Sequence, residues 1–289
     1  MVMRSPTSSG LAAPFAARFT VPILIALAAA GCSSLSPPPT SPAQVPEIRP
    51  GSGFLVGYLP RKDLPNSLAL LPPPPAAGSA RAAADEEAHK AAQAQRGTPR
   101  WALATADANL MFPAAADTFA CVLDVPVSEQ GTPHLNMLLR RSLVDAGLAT
   151  YAAKDHYQRT RPFVVHKETT CTPAEEAMLS KDGSYPSGHS AVGWAAALIL
   201  VQIAPERTDA ILARGYAFGQ SRVVCNVHWQ SDVDAGRVMA SAAVARLQSD
   251  PVFRKQLRLA RAEVADARAR GLKPTRDCAA EAAALGTGK

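Results

Sequence analysis

The run Ala191–Ala204 is apolar on every face, opens on a Pro-Ser-Gly turn and is stopped by Pro205. It reads as a buried helix, and a helix with no polar face must be enclosed by other elements of the same fold. The flanking sequence supplies helices for that purpose. Asp85-Glu86-Glu87 begins one, with Glu86 and Lys90 spaced i,i+4 and Gly97 after the last turn. Pro99–Phe112 is another, stopped by Pro113. Thr132 is an N-cap with Pro133 at the first helical position; Leu135, Leu138, Leu139 and Leu143 follow at helical spacing, and Gly147 falls at the C-cap. Ala149–Thr160 is helical as far as Arg161-Pro162, and Glu206–Gly219 and Ser231–Leu247 follow. Asp250-Pro251 starts the last helix, ended by Gly271. Hydrophobic content of 47% with only 6% aromatics reflects abundant alanine, a helix former, while period-2 alternation is scarce. The expected class is all-α, a single helical-bundle domain.

The first residues read as an export signal. Arg4 and Arg18 precede the apolar run Val21–Ala30, too short to span a bilayer and ending in small residues. Ala29-Ala30-Gly31-Cys32 resembles a bacterial lipobox, with alanine where leucine is usual, so lipidation at Cys32 and ordinary signal-peptidase cleavage nearby both stay open. Of the five cysteines, removing Cys32 leaves Cys121, Cys171, Cys225 and Cys278, an even set for an oxidising compartment with three connectivities open. The layout expected is a signal peptide over 1–32, a disordered or polyproline-like Pro/Ser-rich spacer over 33–53, and a domain over 54–289 that begins with an irregular arm through Pro72–Pro75. Net charge of +6 without basic runs argues against a nucleic-acid binder and permits a local cationic pocket.

Three stretches carry chemistry. Lys154 and Arg161 lie seven apart, a spacing that puts both cations on one face of a continuous helix. Gly183–Ser190 contains Pro186-Ser187-Gly188-His189, a turn opening onto the apolar helix, where unpaired N–H groups and the helix dipole suit an anion. Ser221-Arg222 precedes His228 and Asp232, spaced i,i+4, so the carboxylate can hold one imidazole nitrogen and present the other as base or nucleophile. His156 and Trp229 lie close to these stretches, whereas His89, His134 and His166 have no partner pattern. Taken singly, each feature is more often a solvated face or a satisfied core residue.

In order and spacing the three stretches match Lys-x6-Arg-Pro, Pro-Ser-Gly-His and Ser-Arg-x5-His-x3-Asp. That is the signature of the type 2 phosphatidic acid phosphatase (PAP2) superfamily, which includes the vanadium haloperoxidases. Gly183–Ser190 and Ser221–Asp232 resemble class A bacterial nonspecific acid phosphatases closely, and the likeness extends through Leu64–Pro75, Gly97–Leu103 and Leu138–Pro162. Ser190 stands where class A members commonly carry threonine, which keeps a hydroxyl.

The resemblance implies a PAP2-type helical bundle acting as a broad-specificity, periplasmic acid phosphatase on nucleotides, sugar phosphates and aryl phosphates. It casts His228 as the nucleophile that becomes a phosphohistidine, Asp232 as its orienting group, and His189 as acid and then base. Lys154, Arg161, Arg222, Ser187 and the Gly188 N–H become the phosphate cradle. Three fixed cations and no carboxylate cluster imply no metal and no cofactor; an acidic pH optimum belongs to the same expectation. A lipid anchor through Cys32 and a homo-oligomer are compatible with this reading. A lipid or undecaprenyl pyrophosphate phosphatase, or a vanadium haloperoxidase, would use the same residues. The former usually carry several membrane spans and the latter are generally longer. A binding protein with a decayed site would lack signature positions, and here all are present.

Overall fold

The computed structural model describes residues 36–286. The export signal expected over 1–32, including Cys32, lies outside them. The principal helices are α1 (Ala80–Gln93), α2 (Pro99–Asp107), α3 (Pro133–Leu148), α4 (Tyr151–Tyr157), α5 (Pro162–His166), α6 (Gly188–Ile203), α7 (Thr208–Val224), α8 (Gln230–Leu247), α9 (Pro251–Ala269) and α10 (Cys278–Leu285). Among the described residues there is no strand, only an isolated antiparallel bridge between Glu47 and Leu55. The fold is all-α, as the sequence predicts.

Helix α6, the apolar run, is the hub, packed against α3, α7, α8 and α9. Ala191, Ala195, Ala197, Ile199, Leu200 and Ile203 are buried in one core with Leu135 and Leu138 of α3, Ile211 of α7, Ala240, Ala243 and Leu247 of α8, and Phe253, Ala260 and Val264 of α9. Small residues let these axes approach. A Cβ on Gly193 would fall 2.1 Å from the ring of Phe218, and one on Gly236 would fall 2.5 Å from the Ser187 carbonyl oxygen. The second contact holds the first turns of α8 against the start of α6, which brings the Ser221–Asp232 stretch beside Gly183–Ser190.

The expected irregular arm is present. Leu55, Tyr58, Leu59 and Leu71 are buried, and the N–H groups of Tyr58 and Leu59 donate to the Asp145 carboxylate at 2.8 and 3.1 Å. Arg141 lies over the Tyr58 ring at 4.0 Å.

Several local details differ from expectation. The described part of the Pro/Ser-rich stretch, 36–53, is not a bare spacer. Ser41 and Gln44 close a capping box on the 3₁₀ turn Pro42–Gln44, and the Glu47 carboxylate accepts from Ser52 and Gly53. Prolines preset extended φ there, and these side chains satisfy the backbone donors that prolines do not remove. Helix α1 begins at Ala80, capped by Ser79, so Asp85 sits inside the helix and is buried. Thr132 does not cap α3 with its hydroxyl, which bonds to Pro126 and Ser128 instead. Glu263 of α9 accepts from the His134 and Leu135 N–H groups, both at 2.9 Å. α9 is also not the last helix, because α10 follows, tied by the Cys121–Cys278 disulfide to the short helix Ala120–Leu123. The second disulfide joins Cys171 to Cys225. Four cysteines thus adopt one of the three pairings left open.

Candidate active site

Asp232 is set by the helix it helps to start. Its Oδ2 accepts the Trp229 N–H at 2.9 Å, a cap on α8, and the same oxygen lies 3.3 Å from Nδ1 of His228. His228 Nε2 lies 3.1 Å from Nη1 of Arg161. A guanidinium can only donate, so this contact makes Nε2 the acceptor and leaves the ring proton on Nδ1, facing Asp232. The lone pair is therefore on the nitrogen that faces the cations. His228 is buried, and desolvation first, then Arg161, Lys154 and Arg222, holds its pKa well below the ordinary histidine value.

The cations arrive from three segments. Lys154 is on α4, but the chain leaves that helix at Gln158, whose φ is +43°, so Arg161 is not on the same helix. A shared helix face does not bring the two together; a turn does. Lys154 Nζ donates to the Gly183 carbonyl at 2.5 Å, and Arg161 Nη2 reaches the same oxygen at 3.3 Å. Arg161 also donates to the carbonyls of Leu179, Asp182 and Val227, at 2.9 to 3.0 Å. The Asp182 carboxylate, 2.9 Å from Arg161 Nη2 and 3.6 Å from Lys154 Nζ, is the acidic group at their heads. Burial, followed by the charge of Arg161, brings Lys154 down to about 8. Arg222, on the last turn of α7, is 1% exposed, and its Nε and Nη1 donate to no protein acceptor. Burial and the nearby Arg161 lower its pKa to about 10.

The Gly183–Ser190 turn completes the group. Ser187 caps α6, its Oγ accepting from the Ser190 N–H at 3.2 Å and the Ser190 hydroxyl at 2.9 Å, which leaves its own proton to donate. Its N–H donates to the Asp232 carbonyl at 3.0 Å. Gly188 and His189 occupy the first two helical positions, where N–H groups have no intrahelical acceptor. His189 Nε2 donates to the Ala108 carbonyl at 3.0 Å, so Nδ1 is the nitrogen left to exchange a proton. Burial and then Arg222 depress its pKa, and His228 acts in the same direction. Every side chain expected at the site is therefore in one group of facing segments.

Sequence reasoning missed the supports. Arg159 bridges Asp232 and Asp85, and Asp107 joins Arg214 to Ser221, next to Arg222. Nothing local marks them, because their partners are distant in sequence. Trp229 donates to the Thr160 carbonyl at 2.8 Å beside His228. His156 is exposed and meets Tyr157 edge-on, away from the cations. His89 and His166 stack on each other at 4.2 Å, and His134 pairs with Gln256.

Residues 135–252 match the PAP2 superfamily. Non-specific acid phosphatase of Providencia stuartii is 47% identical over 209 residues, covering 72% of this chain and 84% of that protein. Non-specific acid phosphatase of Salmonella typhimurium is 44% identical over 202 residues, 70% of this chain and 81% of its relative. Acid phosphatase of Zymomonas mobilis is 41% identical over 184 residues, 64% of this chain and 70% of the other.

Proposed function

The chain belongs to the PAP2 superfamily and is an acid phosphatase, and from that premise we propose that it hydrolyses small phosphomonoesters through a phosphohistidine on His228. The observation that carries the proposal is Arg222: a guanidinium 1% exposed, with two unpaired nitrogens, alongside Arg161 and Lys154. Unpaired buried charge is expensive, and three converging cations against one half-exposed carboxylate suit a dianion. Asp182 must share Arg161 and Lys154 with that dianion.

His228 Nε2 attacks phosphorus as the bond to the leaving oxygen breaks, and His189 Nδ1–H passes its proton to that oxygen. Neutral His189 then takes a proton from water as the water oxygen attacks phosphorus. The P–N bond breaks, its electrons return to Nε2, and inorganic phosphate leaves. Arg161, Arg222, Lys154, the Ser187 hydroxyl and the first N–H groups of α6 stabilise the equatorial oxygens, where transition-state charge gathers. Three fixed cations make the chemistry metal-independent. The proton that His189 donates ties turnover to acid solution, because burial and Arg222 hold its pKa below the ordinary histidine value.

The enzyme acts in the periplasm, a reading supported by two disulfides and the export signal read over 1–32. Among the described residues no helix is long and apolar enough to cross a membrane. Mass spectrometry of the mature N-terminus decides whether Cys32 is acylated.

Nucleotides, sugar phosphates, aryl phosphates and a lipid phosphate, each assayed with EDTA, test the substrate class. Turnover of the soluble monoesters unaffected by EDTA is expected; hydrolysis confined to the lipid, or abolished by EDTA, overturns the reading. Quenching with alkaline detergent during turnover of labelled substrate, which preserves the acid-labile P–N bond, should leave phosphate on His228.

A further inference from the structure

Asp232 is fully buried, and burial raises its pKa, which opposes the ionised form that His228 requires. One oxygen is spent on Trp229 and His228. The other, Oδ1, accepts from Arg159 Nη1 at 2.6 Å. Arg159 is itself held in place: Nη2 donates to Asp85 Oδ2 at 2.8 Å and Nη1 donates to the Ser231 hydroxyl at 2.8 Å. Asp85, buried on α1, accepts the Ser231 N–H at 2.8 Å and the Ser231 hydroxyl at 2.6 Å. The Arg159 guanidinium also lies 5.3 Å from the Trp229 ring centre, and its carbonyl accepts the Ser184 N–H at 2.8 Å. One residue thus touches the turn that carries the proton donor and the helix start that carries the nucleophile.

We propose that Arg159, fixed by Asp85, is a positioning residue that keeps Asp232 ionised and aimed at Nδ1 of His228. The inference rests on the His228 nucleophile reading. Arg159 lies a carboxylate away from the reacting atoms and is separate from the cradle. A desolvated carboxylate that accepts a hydrogen bond from a guanidinium loses its proton at lower pH than one without it. Only ionised Asp232 can accept from Nδ1–H and stabilise the positive charge that grows on the ring as Nε2 attacks. The other charged and titratable groups facing Asp232 are Lys154 from α4, Arg161 from the turn before α5, Tyr185 from the turn before α6, and His228 itself. Lys154 and Arg161 face the phosphate, so their charge is shared with substrate. Arg159 is the cation left to Asp232 throughout the cycle.

The test is a pH profile of kcat and KM on p-nitrophenyl phosphate for wild type, Arg159→Gln, Arg159→Lys, Asp85→Asn and His228→Ala, with folding checked by near-UV circular dichroism. Folded Arg159→Gln should lose kcat on the order of 10- to 100-fold with KM little changed. Its acid limb should move up by about one pH unit or more, because Asp232 protonates sooner. Arg159→Lys should restore the position of the acid limb but only part of kcat, since charge returns without the fork. Asp85→Asn should show a weaker form of the glutamine phenotype. A folded Arg159→Gln enzyme with an unmoved acid limb overturns the proposal. If that variant does not fold, an unchanged kcat in Arg159→Lys together with an unmoved limb in Asp85→Asn overturns it equally. An active His228→Ala enzyme would instead sink the nucleophile reading beneath it; an inactive one beside unaffected Arg159 variants sinks the positioning role alone.

Discussion

The two histidines of the site are held in opposite ways. His228 has a carboxylate behind Nδ1 and a guanidinium in front of Nε2; His189 has a neutral carbonyl on Nε2 and nothing behind Nδ1 but the cradle. The carboxylate can stabilise a positive ring, so it suits a nitrogen that becomes covalently phosphorylated. The carbonyl fixes orientation without adding charge, so the ring can gain and lose a proton in each turnover. Identical side chains are thus given different electrostatic surroundings by one neighbour each, as the proposed division of labour requires.

Removing either histidine should give the largest effect and separate the two roles. His228→Ala and His189→Ala each lower hydrolysis of p-nitrophenyl phosphate on the order of 10⁴-fold or more with the fold intact. Rapid quench distinguishes them: no phosphoenzyme forms without His228, whereas any formed without His189 persists, because its water is not activated. A labelled intermediate in the His228 variant would end the asymmetry. Arg222→Lys comes next, with a loss of about 100-fold or more, since a single ammonium cannot reproduce a planar fork on two oxygens. Near wild-type kcat/KM there would remove Arg222 from the cradle.

A third prediction concerns what supports the His189 side. Asp107 accepts from Arg214 at 2.5 and 3.2 Å and from the Ser221 hydroxyl at 2.6 Å; it is followed by Ala108, whose carbonyl holds His189. Arg214 is fully buried, with Glu281 of α10 as its other partner at 3.3 Å. Asp107→Asn leaves that charge undercompensated and should cost about 3 kcal/mol by urea denaturation. An unchanged midpoint would show Glu281 to be sufficient. The smallest effect is on inhibition by inorganic phosphate. Lys154, lowered to about 8, is charged below that pH and loses its proton as pH rises through it. Phosphate should therefore bind more weakly above about pH 8, and Lys154→Met should flatten that part of the curve; an identical curve in the variant would exclude Lys154 as its source.

The helices were largely legible because spacing, caps and proline stops are local. Pro133 and Pro251 start helices, Pro205 follows the end of α6, and the apolar run became its hub. The three signature stretches hold the side chains that the fold gathers around His228: Lys154, Arg161, Ser187, His189, Arg222 and Asp232. Lys154 and Arg161 were read correctly as a pair but for the wrong local reason, since a left-handed residue at Gln158 ends the helix between them.

What the residue order determined by itself was an all-α chain with three charged stretches whose chemistry fits a phosphoryl group. Tertiary structure alone decided which cysteines join, that Glu263 caps α3, which ring nitrogen of each histidine is occupied, and that Asp85 reaches Ser231 from 146 positions away. The division has a simple origin. Helix periodicity and turn chemistry act over a few residues, whereas a buried charge takes its partner from whichever segment packing brings within hydrogen-bond reach.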